Sequence, residues 1–186
     1  MTPNRFIRIG FLSSVAFGSL LVTTASMRDG REIRLRDDCD PVTFNATRPG
    51  TCVINGGTTV DEFNRELAED GEVGAWKFNP RDTHIDRGEG LQLVNRGGIN
   101  HTFTEVRRFG GGFVARLNEL SRNPVAAPEC ATKQPDGTLL PTPQGPTNIL
   151  LRGQTRAAGP RLGPGVHRFQ CCIHPWMRSV IEVRNR

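Results

Sequence analysis

The rhythm of apolar and polar positions changes three times along the chain. Ile9 to Val22 is one apolar run broken only by Ser and Gly, with Arg5 and Arg8 at its start and the small residues Thr23-Thr24-Ala25 after it. A positive start, a short apolar stretch and a small-residue end describe an export signal, and the run is short for a membrane span. An anchor left uncleaved is the alternative, because polar Arg-rich sequence follows at once and would suit a stalk. In residues 26–72, read as an N-terminal extension, Thr59 can cap a helix with Glu62 three positions on, and Val60, Phe63 and Leu67 share a face. This spacing predicts one helix of about two turns.

From Trp76 onward the pattern is one of short alternating runs: Ala75 to Phe78, Thr83 to Asp86, Leu91 to Asn95 and His101 to Val106, each bounded by Gly, Pro, Asn or Asp. Strand signals return at Thr147 to Leu151, Val166 to Cys171 and Ser179 to Val183. Residues 107–148 between them are irregular, with Gly110-Gly111-Gly112, a helical turn at Val114 to Leu120 and a Pro-rich loop carrying Cys130. A loop of that length is functional or tied down by a bridge. The 21 Gly and 13 Pro argue against a helical bundle. The expected fold is all-β: a sandwich at residues 73–186 with an insertion at 107–148, preceded by the extension and, at residues 1–25, the export signal. Phe103, Phe169, Ile181 and Val183 read as its core.

At 186 residues there is room for one domain with an extension. The formal charge is +5, and removing residues 1–25 takes away two Arg and no acid, leaving +3. The basic residues are scattered and aromatics are few, which gives nucleic-acid binding little support. Cysteine changes the picture more. Export permits disulfides, and five cysteines cannot all pair.

The chemistry concentrates in Phe169-Gln170-Cys171-Cys172-Ile173-His174-Pro175-Trp176-Met177. A thiolate, an imidazole and a thioether at Cys171, His174 and Met177 converge if a strand ends at the cysteine and the chain turns sharply, which Pro175 favours by fixing its own φ. Soft sulfur with imidazole selects copper, and two His, one Cys and a weak axial Met make the blue-copper arrangement. A second His is needed. His84 lies in a polar edge segment and reads as solvent-facing. His167 shares a strand face with Cys171 but lies about 13 Å along it, so it reads as a packing or hydrogen-bonding residue. His101, after a Gly-Gly turn and at the start of the run His101 to Val106, is the remaining candidate.

With these residues the chain resembles the cupredoxin family, the plastocyanin, azurin and amicyanin group of small blue copper proteins, over about residues 75–186. The short ligand loop at 171–177, followed by Arg178 and an apolar strand, is most like that of amicyanin. The resemblance implies a Greek-key sandwich binding one copper ion, cycling between Cu(I) and Cu(II), with His101, Cys171 and His174 in a plane and Met177 axial. It departs from the family at Thr102, where many members have an Asn that steadies the ligand loop, although a backbone N–H from residue 102 to the thiolate would survive. It departs also at Cys172. Neighbours in an extended segment point to opposite sides, and the spacing to His174 favours Cys171 as ligand.

The other four cysteines allow three pairings. Cys39 with Cys52 is the local choice, leaving Cys130 with Cys172 to staple the 107–148 segment beside the ligand loop. Unpaired Cys130 and Cys172, or a vicinal Cys171–Cys172 bridge, are the alternatives. The expected function is a single-electron carrier, periplasmic or secreted, working between a redox donor and acceptor that dock at the exposed edge of His174 with Pro175 and Trp176. Packing under the insertion is the alternative reading of Trp176. A module for copper storage or delivery is the alternative function. An enzyme is not expected, since the paired His-x-His motifs of further copper centres do not occur.

Overall fold

The computed structural model describes residues 31–142, 149–158 and 162–185. The export signal lies outside the described residues. Within them the order is β1 (Arg31–Arg36), α1 (Pro41–Thr47), α2 (Val60–Asp70), β2 (Lys77–Asn79), β3 (Asp82–Asp86), β4 (Leu91–Asn95), β5 (His101–Thr102), β6 (Thr104–Glu105), α3 (Ala115–Leu120), β7 (Ala131–Lys133), β8 (Leu139–Pro141), β9 (Ile149–Leu150), β10 (Thr155–Ala158), β11 (Gly165–Gln170) and β12 (Arg178–Arg184).

Two four-stranded sheets, β10-β4-β1-β2 and β3-β12-β11-β6, carry the architecture, with the small pairs β5-β9 and β7-β8 beside them. Chain neighbours are mostly not sheet neighbours: β1 runs parallel to β4, and β12 parallel to β3. This is the crossing pattern of a sandwich whose strands alternate between layers. Ile33, Leu35, Phe78 and Leu93 from the first sheet share one core with Ile85, Phe169, Ile181 and Val183 from the second. Phe103 stacks on Phe169 at 4.3 Å and meets Phe78 edge-on at 5.1 Å, joining the layers through three rings. Each such side chain contributes about 1.5–3 kcal/mol when fully buried. All four expected core residues are buried.

The stretch read as an extension supplies β1, which the sequence reading did not anticipate. Arg31-Glu-Ile-Arg-Leu-Arg36 alternates, so Ile33 and Leu35 enter the core at 0% exposure while the charged residues face outward. Helix α2 begins where expected, on a reciprocal capping box between Thr59 and Glu62. It runs 11 residues, beyond the two turns read from its apolar face, because Ala68-Glu69-Asp70 continue it on the polar side until Gly71 closes it at φ 76°. Asp40 accepts from the Thr43 N–H and caps α1, with Pro41 in its first turn.

The run His101 to Val106 is not one strand. β5 pairs with β9 and β6 with β11, so the chain changes partners at Phe103. The insertion is ordered by the core it touches: Val106, Ala127, Cys130 and Cys172 form a second small cluster. A Cβ on Gly112 would overlap the carbonyl of Cys172, and the Phe113 N–H donates to that same oxygen at 2.9 Å. Cys39–Cys52 and Cys130–Cys172 are bridged, leaving Cys171 as the free and buried cysteine. No helix among the described residues is long and apolar enough to cross a membrane.

Candidate metal centre

Cys171 follows directly on β11, and the loop to β12 folds back on itself. The Cys171 N–H donates to the Met177 carbonyl at 3.0 Å, and the Met177 N–H to the His174 carbonyl at 2.9 Å. These two bonds return the chain within seven residues. On the other side, the turn before His101 is held by Asn95, whose amide nitrogen donates to the carbonyls of Ile99 and Leu150 and whose Oδ1 accepts from the Gly97 N–H.

Three of the four ligands read from the sequence come together. The Nδ1 atoms of His101 and His174 face the Cys171 sulfur at 4.0 and 3.7 Å. The donor atoms of His101, Cys171 and His174 lie within 4.8 Å of one another, and all three residues are buried, so they form a group placed to bind a metal ion. Met177 belongs to the same loop and is 1% exposed. The backbone N–H of Thr102 points at the sulfur at 3.3 Å, while the Thr102 hydroxyl accepts the Cys172 N–H at 2.6 Å. The tie from residue 102 to the ligand loop is therefore kept, by a hydroxyl in place of an amide.

The two histidines set aside lie outside this cluster, and His167, expected to be buried, is half-buried. His84 is exposed on β3, at the edge of its sheet. His167 hydrogen-bonds Glu105 at 2.6 Å and the Gly163 carbonyl at 2.7 Å.

Asp37 is the functional residue that sequence reasoning missed. Its side chain is fully buried, and Oδ2 meets the Nε2 of His101 at 2.8 Å. The Gly98 N–H, at 2.9 Å, and the Ile99 N–H also donate to this carboxylate. A Cβ on Gly97 would overlap it, so the turn can close over Asp37 only with glycine there. A carboxylate behind an imidazole fixes its tautomer and strengthens it as a ligand. No local signal marks Asp37 among its neighbours Asp38 and Asp40.

The groups set one another's protonation. Burial disfavours the His101 imidazolium, but hydrogen bonds to Asp37 and Cys171 outweigh it and raise its pKa to about 9. Burial opposes charge on Cys171 too, yet the two imidazoles hold its thiol well below the ordinary value. For His174 burial prevails and the pKa is lowered. A buried free thiol facing two imidazole nitrogens is a soft N/S donor set of the type that suits copper.

His174 is not at the surface. It is 6% exposed, with the Trp176 ring 5.5 Å away, and Trp176 packs against Phe63 of α2 at 5.9 Å. Trp176 thus packs under the α2 helix and not in an open patch.

No family model and no curated protein sequence matches the chain. Solved structures do. A purple cupredoxin from Nitrosopumilus maritimus is similar at 12% identity over 83% of this chain and 99% of that one, with a TM-score of 0.40. An oxidised plastocyanin from Dryopteris crassirhizoma is similar at 15% over 82% and 99%, with a TM-score of 0.35. A reduced amicyanin variant is similar at 16% over 61% and 78%, also at 0.35. The molecule's own features are two four-stranded sheets packed on one core, with the buried cluster of His101, Cys171 and His174 where the loop after β11 meets the turn before β5.

Proposed function

We propose that the chain is a type 1 copper protein that carries single electrons between redox partners outside the cytoplasm, and that His101, Cys171, His174 and Met177 would hold the copper. The observation that carries this reading is Cys171. Its neighbour Cys172 is bridged to Cys130, while Cys171 stays a free, fully buried thiol facing two imidazole nitrogens. Copper, when bound, supplies the Cu(I)/Cu(II) couple. The protein's part is to hold the donors still and exclude water: Asp37 orients His101, the Thr102 N–H steadies the thiolate, and the Cys171 to Met177 hydrogen bond keeps the loop closed. Such a set breaks no substrate bond.

Two disulfides support residence in an oxidising compartment, periplasmic or extracellular. Donor and acceptor dock on the outside of the aromatic wall that covers His174, with Trp176 and not an exposed imidazole edge between them and the centre. Reconstitution with Cu(II) tests the reading: an intense thiolate-to-copper absorption band appears, is abolished by Cys171→Ser and survives Cys172→Ser. A colourless protein that takes copper only as Cu(I) overturns it in favour of delivery.

A further inference from the structure

The insertion grips the ligand loop at both of its ends. At the Cys171 end the ties are the Cys130–Cys172 bridge, the Phe113 N–H on the Cys172 carbonyl, and the buried side chain of Gln170. That side chain accepts from the Gly110 N–H at 3.0 Å and donates to the Gly110 carbonyl at 3.1 Å. At the Met177 end the tie is noncovalent and runs through Arg178, the next residue. Its Nε donates to the Pro175 carbonyl at 2.9 Å, and a terminal nitrogen donates to Asn123 Oδ1 at 2.5 Å. The same guanidinium lies 4.9 Å from the centre of the Phe109 ring. One planar side chain thus joins the loop residue after His174 to two residues of the insertion.

The insertion is shaped to present Asn123 at that point. Arg122, just before it, has φ 58°, a positive value that no other non-glycine among the described residues shows and that L side chains rarely adopt. This turn folds Asn123 back onto the end of α3, where its N–H donates to the Asn118 carbonyl at 2.8 Å and its Nδ2 to the Ser121 carbonyl at 2.6 Å. The amide is thereby oriented with Oδ1 toward Arg178. Asn118, 1% exposed, uses its own amide on the N–H and carbonyl of Gly112, the glycine whose backbone packs on the Cys172 carbonyl. A continuous path from Cys172 through Gly112, Asn118, Asn123 and Arg178 to Pro175 therefore spans the loop from outside, and His174 lies between its ends. A guanidinium suits the last link, because its fixed planar fork serves two acceptors at once and its charge strengthens both bonds.

We propose that Arg178 and Asn123 are positioning residues for the metal centre: their hydrogen bond fastens the His174–Met177 half of the ligand loop to the insertion and so holds His174 and Met177 in place. The proposal rests on the copper reading of this loop and extends it, since it makes the insertion a working part of the centre. The loop's own hydrogen bonds, from Cys171 to Met177 and from Met177 to His174, close it on itself. The Arg178 tie is what fixes that closed loop to the segment beside it.

The test compares Asn123→Leu, Arg178→Leu, the two combined, and Val183→Ala, which loosens the sandwich core away from the loop. In the metal-free full chain, NMR follows the His174 ring and the Met177 methyl, with the His101 ring as internal reference. In the copper-loaded chain, competition titration reads affinity. Each of the first two substitutions should broaden or shift the His174 and Met177 signals, leave those of His101 in place, and weaken copper binding about tenfold, as loss of an outer support for a ligand does. The combined variant should do no more than Arg178→Leu alone, because Asn123 acts through Arg178. Val183→Ala should lower stability to denaturant with none of these changes. Unmoved His174 and Met177 signals in Asn123→Leu, additive losses in the combined variant, or the same signal changes in Val183→Ala overturn the proposal. Should the unsubstituted chain take up no copper, the copper reading falls, and the metal-free signals alone decide whether the tie holds the loop.

Discussion

The two histidines that face Cys171 are the same residue at nearly the same distance, and their far sides differ completely. Behind His101 is a polar cage: the Asp37 carboxylate, the Gly98 turn and, pressed against that turn, the Cys39–Cys52 bridge. Behind His174 is an aromatic one, Trp176 and then Phe63, which itself meets Phe44 and Trp76. The pKa values move apart accordingly, up to about 9 for His101 and downward for His174. What a metal-binding imidazole can do is therefore set by what stands behind it. A carboxylate anchors one nitrogen donor, while the other has an aromatic wall on its far side, which encloses it from water.

The largest test removes the aromatic wall. Phe63→Ala takes away a nearly buried ring with three aromatic neighbours and should destabilise the fold by about 3–5 kcal/mol, read by chemical denaturation of the metal-free protein. A loss below about 1 kcal/mol would mean that His174 is not sealed by α2. Next, Cys130→Ser with Cys172→Ser releases the insertion from the ligand loop, and the cost expected of a closed loop is about 2–4 kcal/mol. If His174 relies on that staple, its ring resonances broaden while those of His101 stay sharp.

Asp37→Asn is aimed at the other side. It keeps an acceptor near His101 but removes the charge, and copper affinity in competition titrations should fall about 10–100-fold. Trp176→Phe, which retains an aromatic ring, should change affinity far less. Equal effects would erase the distinction between the two sides. The mildest test uses a histidine outside the centre. Burial lowers the pKa of His167, but the Glu105 hydrogen bond and the Gly163 carbonyl raise it above 6.5 overall. A raised folded-state pKa means that the contribution to stability is complete below the unfolded value and is lost as pH rises through the folded one. Glu105→Gln should bring the titration of His167, followed by NMR, back toward 6.5, and leave the pH dependence of stability flatter over that window.

Legibility in the sequence followed the range of each interaction. The Thr59 capping box, Leu91–Asn95 and the spacing from Cys171 to Met177 are local, and the structure has them. His101 follows from setting aside His84 and His167, which works because so few histidines exist. Strand β1 carries a period-2 pattern that was overlooked among its arginines, and its place between β4 and β2 is not encoded locally at all. With Cys171 reserved for a metal, four cysteines still allow three pairings, and the nearness of Cys39 to Cys52 in sequence is what selects the pairing the structure has.

The chain by itself thus determined the donor types, their order and which thiol is spare, because ligand spacing and cysteine arithmetic are properties of neighbours in sequence. Only the folded molecule decided that Asp37 stands behind His101 and that Phe63 and Trp176 close over His174. Those contacts join residues far apart along the chain, and they exist only because the sheets and α2 bury their apolar faces against one core. Burial then turns each contact into chemistry, since a carboxylate or an apolar ring shifts an imidazole strongly only where water cannot screen it.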